Sequence, residues 1–285
     1  MFVIAGVTGH VGAVVAEQLL AKGQKVKVIV RSADKAAAWS QKGAEIAVGT
    51  LEDQAFLTSA LRGATALFTL LPPNLAVPDF YAYQRQTSDT IAAAVKASGV
   101  GHVVLLSSVG ADLAEGTGPI KGLHYLENVL RATGVKLTAI RAGYFQENVG
   151  NSLAPATHMG IFPNFSPSAD YPMPMIATRD IGALAAESLL SPADKSEVVD
   201  LHGPAYSIRQ VAEKLGAALG KTLQIVDIPE AGWVDAMVQG GLPKNVAEVY
   251  AEMYAGFASG RIAPRGDRLV QGKTTLDEVI KAIVQ

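Results

Sequence analysis

Apolar runs and amphipathic stretches alternate along the first half of the chain. "MFVIAGV" reads as a strand, and "GAVVAEQLLAKG" carries apolar residues at helical spacing and ends at Gly23. The pattern repeats: strand "KVKVIVR", helix "SADKAAAWSQKG", strand "AEIAVGT", helix "DQAFLTSALRG", strand "ATALFTLLPP". It continues with a long helix "FYAYQRQTSDTIAAAVKASGV", strand "HVVLLSSVGA", helix "GLHYLENVLRATG" and strand "VKLTAIRAG". Continuous apolar strands separated by helices predict βαβ units and a parallel sheet. Right-handed crossovers then make it a doubly wound α/β fold of the Rossmann type.

After Tyr144 the rhythm changes. "ENVGNSLAPATHMGIFPNFSPSADYPMPM" is rich in Pro, Asn and Ser and shows no period, so it reads as a long irregular segment. "TRDIGALAAESLLS" restores a helix with Thr178 as its expected N-cap. "SEVVDLHG" and "TLQIVDIP" read as strands, "SIRQVAEKLGAALGK" and "NVAEVYAEMYAGFASG" as helices. The expected division is residues 1–150 as the main domain, joined by a returning segment around 176–203. The remainder of 151–285 forms mainly a smaller mixed α/β lobe.

Composition narrows the function classes. Of 285 residues, 49% are hydrophobic and 18% charged, and the formal net charge is −2, the profile of a soluble globular protein. No basic run offers a footprint for nucleic acid. No apolar stretch reaches the roughly 18 residues of a membrane span. Cys is absent, which removes disulfides, thiolate metal sites and a Cys nucleophile, and fits a reducing compartment. A strand starting at Phe2 leaves no room for a cleavable leader, so a cytoplasmic protein is expected. The five histidines show no metal-ligand spacing.

The chemistry points to the first turn. "GVTGHVG" (6–12) follows a strand and opens a helix. That context marks a dinucleotide fingerprint. Gly6 permits the tight turn, Gly9 clears space for a pyrophosphate, and Gly12 lets helix and strand approach. The helix N-terminus offers N–H groups to the phosphates, with Thr8, His10 and Val11 beside it. At the end of the second strand an acid would bind the ribose of NAD, whereas a base accommodates the 2′-phosphate of NADP. Here stand Arg31 and, a turn later, Lys35, so NADP(H) is expected over NAD(H).

With these residues placed, the chain resembles the NmrA-like branch of the atypical short-chain dehydrogenase/reductases, and within it the bacterial NAD(P)H:quinone reductases. The resemblance runs through "GVTGHVG", "VIVRS", "GTLEDQAFLTSALRGATALF", "HVVLLSS", "LHYLENVLRATGVKLTAIRAGYFQEN", "TRDIG" and "SIRQVAEKLGAALGK", in that order. It implies that Thr50 and Leu51 lie beside the adenine. It implies that Leu70, Leu71, Pro72 and Pro73 line the cofactor, and that Ser107 and Ser108 approach the nicotinamide ribose. Gly143, Tyr144, Phe145 and Asn148 fall at the nicotinamide and substrate end.

One departure matters. The typical reductases of this superfamily pair a Tyr with a Lys four residues on, and this chain has no such pair in "KGLHYLENVL". Of Lys121, His124, Tyr125 and Glu127, His124 is the best acid candidate, because imidazole titrates near neutrality. Phe162, Phe165, Tyr171 and Trp233 either stack on a flat substrate or form the lobe's own core; Phe162 and Trp233 are the substrate candidates. Tyr81, Tyr83, Tyr250 and Tyr254 fall at helical spacings and read as core or interface.

The leading reading is hydride transfer from NADPH to a quinone or similar flat acceptor. The alternative is a dinucleotide-binding redox sensor without turnover; a sugar-nucleotide epimerase is disfavoured by the same missing pair. The expected partner is a small molecule, with a homodimer left open and no nucleic acid, membrane or metal.

Overall fold

A computed structural model describes residues 1–285. The first half alternates β1 (Phe2–Ile4), α1 (His10–Ala21), β2 (Val26–Val30), α2 (Ala37–Gln41), β3 (Glu45–Val48), α3 (Gln54–Leu61), β4 (Ala66–Leu70), α4 (Phe80–Ser98), β5 (His102–Ser108), α5 (Ile120–Ala132) and β6 (Lys136–Ala142). The second half holds β7 (Tyr144–Phe145), α6 (Leu153–Met159), β8 (Ile161–Asn164), β9 (Met173–Ile176), α7 (Thr178–Leu190), β10 (Glu197–His202) and β11 (Ala205–Tyr206). It closes with α8 (Ile208–Leu219), β12 (Gln224–Asp227), α9 (Trp233–Gln239), α10 (Lys244–Ala258), β13 (Arg268–Gln271) and α11 (Leu276–Val284).

Eight parallel strands form one sheet in the order β13-β10-β6-β5-β4-β1-β2-β3. The apolar strands are buried on both faces. Phe2 and Ile4 of β1 join Val15 and Leu19 of α1 and Ile181 and Ala185 of α7 in one cluster. Val3, between them, joins Leu57 and Leu61 of α3, Ile91 of α4 and Leu126 of α5 in the other. Period-two alternation inside an unbroken apolar run thus feeds two helix layers. The strand order reverses between β1 and β4, which are parallel neighbours. The crevice outside the carboxyl ends of these strands is where such folds bind ligands.

The sheet recruits β10 and β13 from the C-terminal part of the chain. The other strands there make two small sheets, β11-β9-β7 and β12-β8. The segment read as irregular contains a 3₁₀ turn (Gln146–Ser152), α6, β8 and β9. These pieces are four to seven residues long, and β8 is a strand because it pairs with β12, some sixty residues downstream. Such pairing leaves no local period. Pro163 and Pro174 are tolerated because β8 is an edge strand and β9 is very short. α2 is one and a half turns preceded by a 3₁₀ turn (Ala33–Lys35), shorter than its pattern predicts. No helix is long and apolar enough to cross a membrane.

Candidate active site

A cleft of about 560 Å³ opens at the crevice. The glycine loop forms one end. Gly6 has φ +69°, a backbone that L side chains rarely adopt. A Cβ at Gly12 would fall against the Gly6 carbonyl and 2.7 Å from the Ala5 oxygen, so the helix starts tight on β1 only because this residue has none. Gly9 is different. Its backbone is extended (φ −103°), and a Cβ there would meet only the Gly6 oxygen at 3.5 Å. Gly9 is also the N-cap of α1, and no side chain caps that helix. Contrast α4, where the Asp79 carboxylate accepts the Ala82 N–H at 2.9 Å. The first-turn N–H groups of α1 are therefore left for an anion, beside a cradle that a side chain would fill. These residues fit a dinucleotide pyrophosphate.

The cleft wall brings together Gly6, Gly9, His10, Val11, Gly12, Leu70, Leu71, Pro73, Ser107, Ser108, Gly143, Tyr144, Phe145 and Asn148. Thr8 is exposed just outside it, as are Arg31 at the end of β2 and Lys35 in the following turn. Arg31 and Lys35 stand at the sheet's carboxyl edge, one strand beyond the glycine loop. Tyr83 lies nearby and donates to Glu52 at 2.7 Å. Burial and Glu52 push that phenol up to about 12, against the opposing charge of Arg31. Thr50 is half-buried, Leu51 sits in the core against α3, and Pro72 is outside the wall that its neighbours form.

Three candidates are corrected by packing. His124 turns away from the cleft. Its Nδ1 donates to the Ala111 carbonyl at 2.9 Å, and its Nε2 accepts from the Asn128 amide at 3.0 Å. Both ring nitrogens are engaged, and Leu123, one residue earlier, supplies the wall instead. Phe162 is buried among Val211, Leu215 and Ile280 of the lobe. Trp233 donates to the Ile228 carbonyl at 2.8 Å and packs edge-on to Tyr254, with Phe165 stacked on the same ring at 5.6 Å. These aromatics are the lobe's own core. Neither Phe162 nor Trp233 reaches the cleft.

The far end of the cleft is built by residues read as core or not singled out. Tyr250, Met253 and Phe257 lie along one face of α10, opposite Phe80 of α4 and Ile120 and Leu123 of α5. Their i, i+3, i+7 spacing was the available signal, and it does not separate a helix face over a core from one over a cleft.

The polar groups have distinct states. Ser107 is buried and donates to Glu127 Oε1 at 2.6 Å. Glu127 is itself buried and takes a two-point contact from Arg141, with Nε at 3.0 Å and Nη2 at 2.8 Å. A carboxylate held by a guanidinium thus occupies the helix where the typical reductases of the superfamily would carry the Tyr–Lys pair. Glu147 accepts from the Thr178 N–H at 2.9 Å and its hydroxyl at 2.6 Å, while its Oε2 has no partner. The N-cap position of α7 is Ala177, and the capping group is this carboxylate from a distant turn rather than the Thr178 side chain. Tyr144 is partly buried; burial raises its phenol pKa, and the nearby Asn148 amide opposes that rise.

Known proteins share this plan. The chain is 28% identical over 256 residues to an NAD(P)H azoreductase of Xenophilus azovorans, covering 90% of this chain and 86% of that one. It is 28% identical over 268 residues to quinone oxidoreductase 2 of Escherichia coli strain K12, covering 91% and 89%. An NADPH-dependent quinone oxidoreductase of Escherichia coli, solved with NADPH, superposes over 100% of both chains with a TM-score of 0.77 and 25% identity. The NmrA-like family model matches residues 1–280, and the chain belongs to the NmrA-like family.

Proposed function

We propose that the chain is an NAD(P)H-dependent oxidoreductase that reduces a flat, quinone-like acceptor, with NADPH as preferred donor. One observation carries this reading: a single cleft joins the glycine loop to an apolar chamber of Phe80, Leu123, Tyr250 and Met253. A dinucleotide seated on the loop and a flat acceptor in the chamber would share one enclosed space. The names of the relatives, an azoreductase and a quinone oxidoreductase, support that class.

When bound, the dinucleotide supplies hydride, the hard part of the chemistry. The chain positions and encloses. Gly6, Gly9 and the α1 N-terminus would hold the phosphates. Gly143, Tyr144 and Phe145, at the end of β6, would flank the nicotinamide. The aromatic wall would orient the acceptor and exclude water. Arg31 and Lys35 would meet the 2′-phosphate, and no acid stands at the end of β2 to favour the free ribose hydroxyl.

The test follows loss of reduced cofactor with naphthoquinones, benzoquinones and azo dyes. NADPH is expected to outperform NADH in kcat/KM. Arg31→Glu should cut that preference by about tenfold or more, the loss of one charge-assisted contact of roughly 1.5–3 kcal/mol. Tight NADPH binding without turnover of any acceptor overturns the reductase reading. Equal losses for both cofactors overturn the phosphate role of Arg31.

A further inference from the structure

Hydride delivered to a quinone leaves negative charge on an acceptor oxygen. An enclosed site must meet that charge with a donor. Most polar groups of this cleft are already committed. Ser107 donates its hydroxyl hydrogen bond to Glu127 at 2.6 Å. Ser108 donates to the Val109 carbonyl at 3.1 Å. Glu147 accepts two bonds at Oε1, and its Oε2 is buried away from the cleft, so this group has no donor to offer.

Tyr144 is placed differently. Its backbone is fixed by pairing with Met175 between β7 and β9, so its ring hangs from a ladder rather than a loose loop. It lines the cleft directly after β6. Its hydroxyl has no hydrogen-bond partner in the protein, and Asn148, four residues on in the 3₁₀ turn, lines the same cleft. The phenol's own proton therefore remains to be given. We propose that Tyr144, with Asn148 beside it on the cleft wall, is the catalytic hydrogen-bond donor to the oxyanion that forms on the acceptor.

This rests on the reading that a quinone-like acceptor occupies the cleft. The acceptor takes two electrons with the hydride and becomes a hydroquinone monoanion. Water supplies the last proton. Tyr144 keeps its O–H bond throughout, consistent with a burial that holds the phenol protonated. Tyr250 of α10 lines the same cleft, and burial raises its phenol pKa as well.

The experiment uses an oxyanion probe on the protein loaded with NADP⁺. 4-Nitrophenolate is titrated beside neutral nitrobenzene against wild type, Tyr144→Phe and Asn148→Ala, and quinone reduction is followed in single turnovers. Wild type should prefer the phenolate. Tyr144→Phe should weaken phenolate binding and slow hydride transfer by about tenfold or more, as expected for one lost oxyanion donor. Nitrobenzene and NADP⁺ affinities should stay within about twofold, well inside that loss. Asn148→Ala should show a smaller loss with the same selectivity, and it serves alone should Tyr144→Phe not fold. No phenolate preference in wild type, equal losses for both probes, or unchanged hydride transfer in Tyr144→Phe overturns the assignment. Selective phenolate binding with no quinone reduced by wild type supports the donor role and overturns only the choice of acceptor.

Discussion

Two glycines three residues apart, Gly9 and Gly12, separate folding from binding at the level of single atoms. A methyl at Gly12 would press on the Gly6 and Ala5 carbonyls, which cannot retreat without moving β1. Gly12→Ala should therefore cost about 1–3 kcal/mol in urea unfolding, the range of an overpacked contact. A methyl at Gly9 has open space beyond 3.5 Å, on an ordinary backbone. Gly9→Ala should lose about 1 kcal/mol or less of stability. It should nevertheless lose most of the roughly 2.7 kcal/mol that NADPH at a hundred times its dissociation constant adds to wild type. A thermal shift for Gly9→Ala equal to the wild-type one would refute its place under the phosphates. Sequence alone marked this loop, because the spacing of three small residues between strand and helix is a local fact. It assigned His124 wrongly, because whether an imidazole faces a cleft or the Ala111 carbonyl is set by a loop thirteen residues away.

Among the elements, α10 decides what the cleft can hold. Val246 and Val249 pin it to Phe80, and the neighbouring face presents Tyr250, Met253 and Phe257 to the chamber. Met253→Ala should raise KM for a naphthoquinone about fivefold, for roughly 1 kcal/mol of lost apolar contact, and leave the NADPH dissociation constant unchanged. An unchanged KM would place the acceptor elsewhere. β8 gives the opposite expectation. Phe162 packs under α8 and α11, so Phe162→Ala should destabilise the protein by about 3–5 kcal/mol in chemical denaturation. A stable variant with only its quinone turnover reduced would contradict that burial. The parallel strands were legible because each is an apolar run closed by a helix pattern. The lobe was not: β8, β9 and β13 are four residues each, and the partners that make them strands lie far along the chain.

For the whole molecule, acid is the expected weak point. His102 opens β5 with its Nε2 at 3.1 Å from Thr138 Oγ1 and its Nδ1 unpartnered inside the protein. Burial first, then the charge of Lys136, lowers its pKa from 6.5 to about 4, against the opposing charge of Glu197. Burial lowers His202 in the same direction. A depressed histidine binds fewer protons folded than unfolded, so its contribution is complete above pH 6.5 and is lost as pH falls from there towards 4. The melting temperature should drop across that window, and His102→Gln should flatten the slope; an identical slope in the variant would exclude His102 as the cause. At this scale the division of labour is plain. The sequence by itself determined the parallel α/β sheet, the glycine loop, the basic end of β2 and the family, because period, turn residues and motif order are carried by neighbours in the chain. Only the tertiary structure decided which aromatics wall the cleft and which fill the lobe. It alone decided that the Ser107 hydroxyl donates to Glu127 and that Tyr144 lines the cleft. Those outcomes depend on which side chains from distant segments reach one another, and no local pattern encodes that distance.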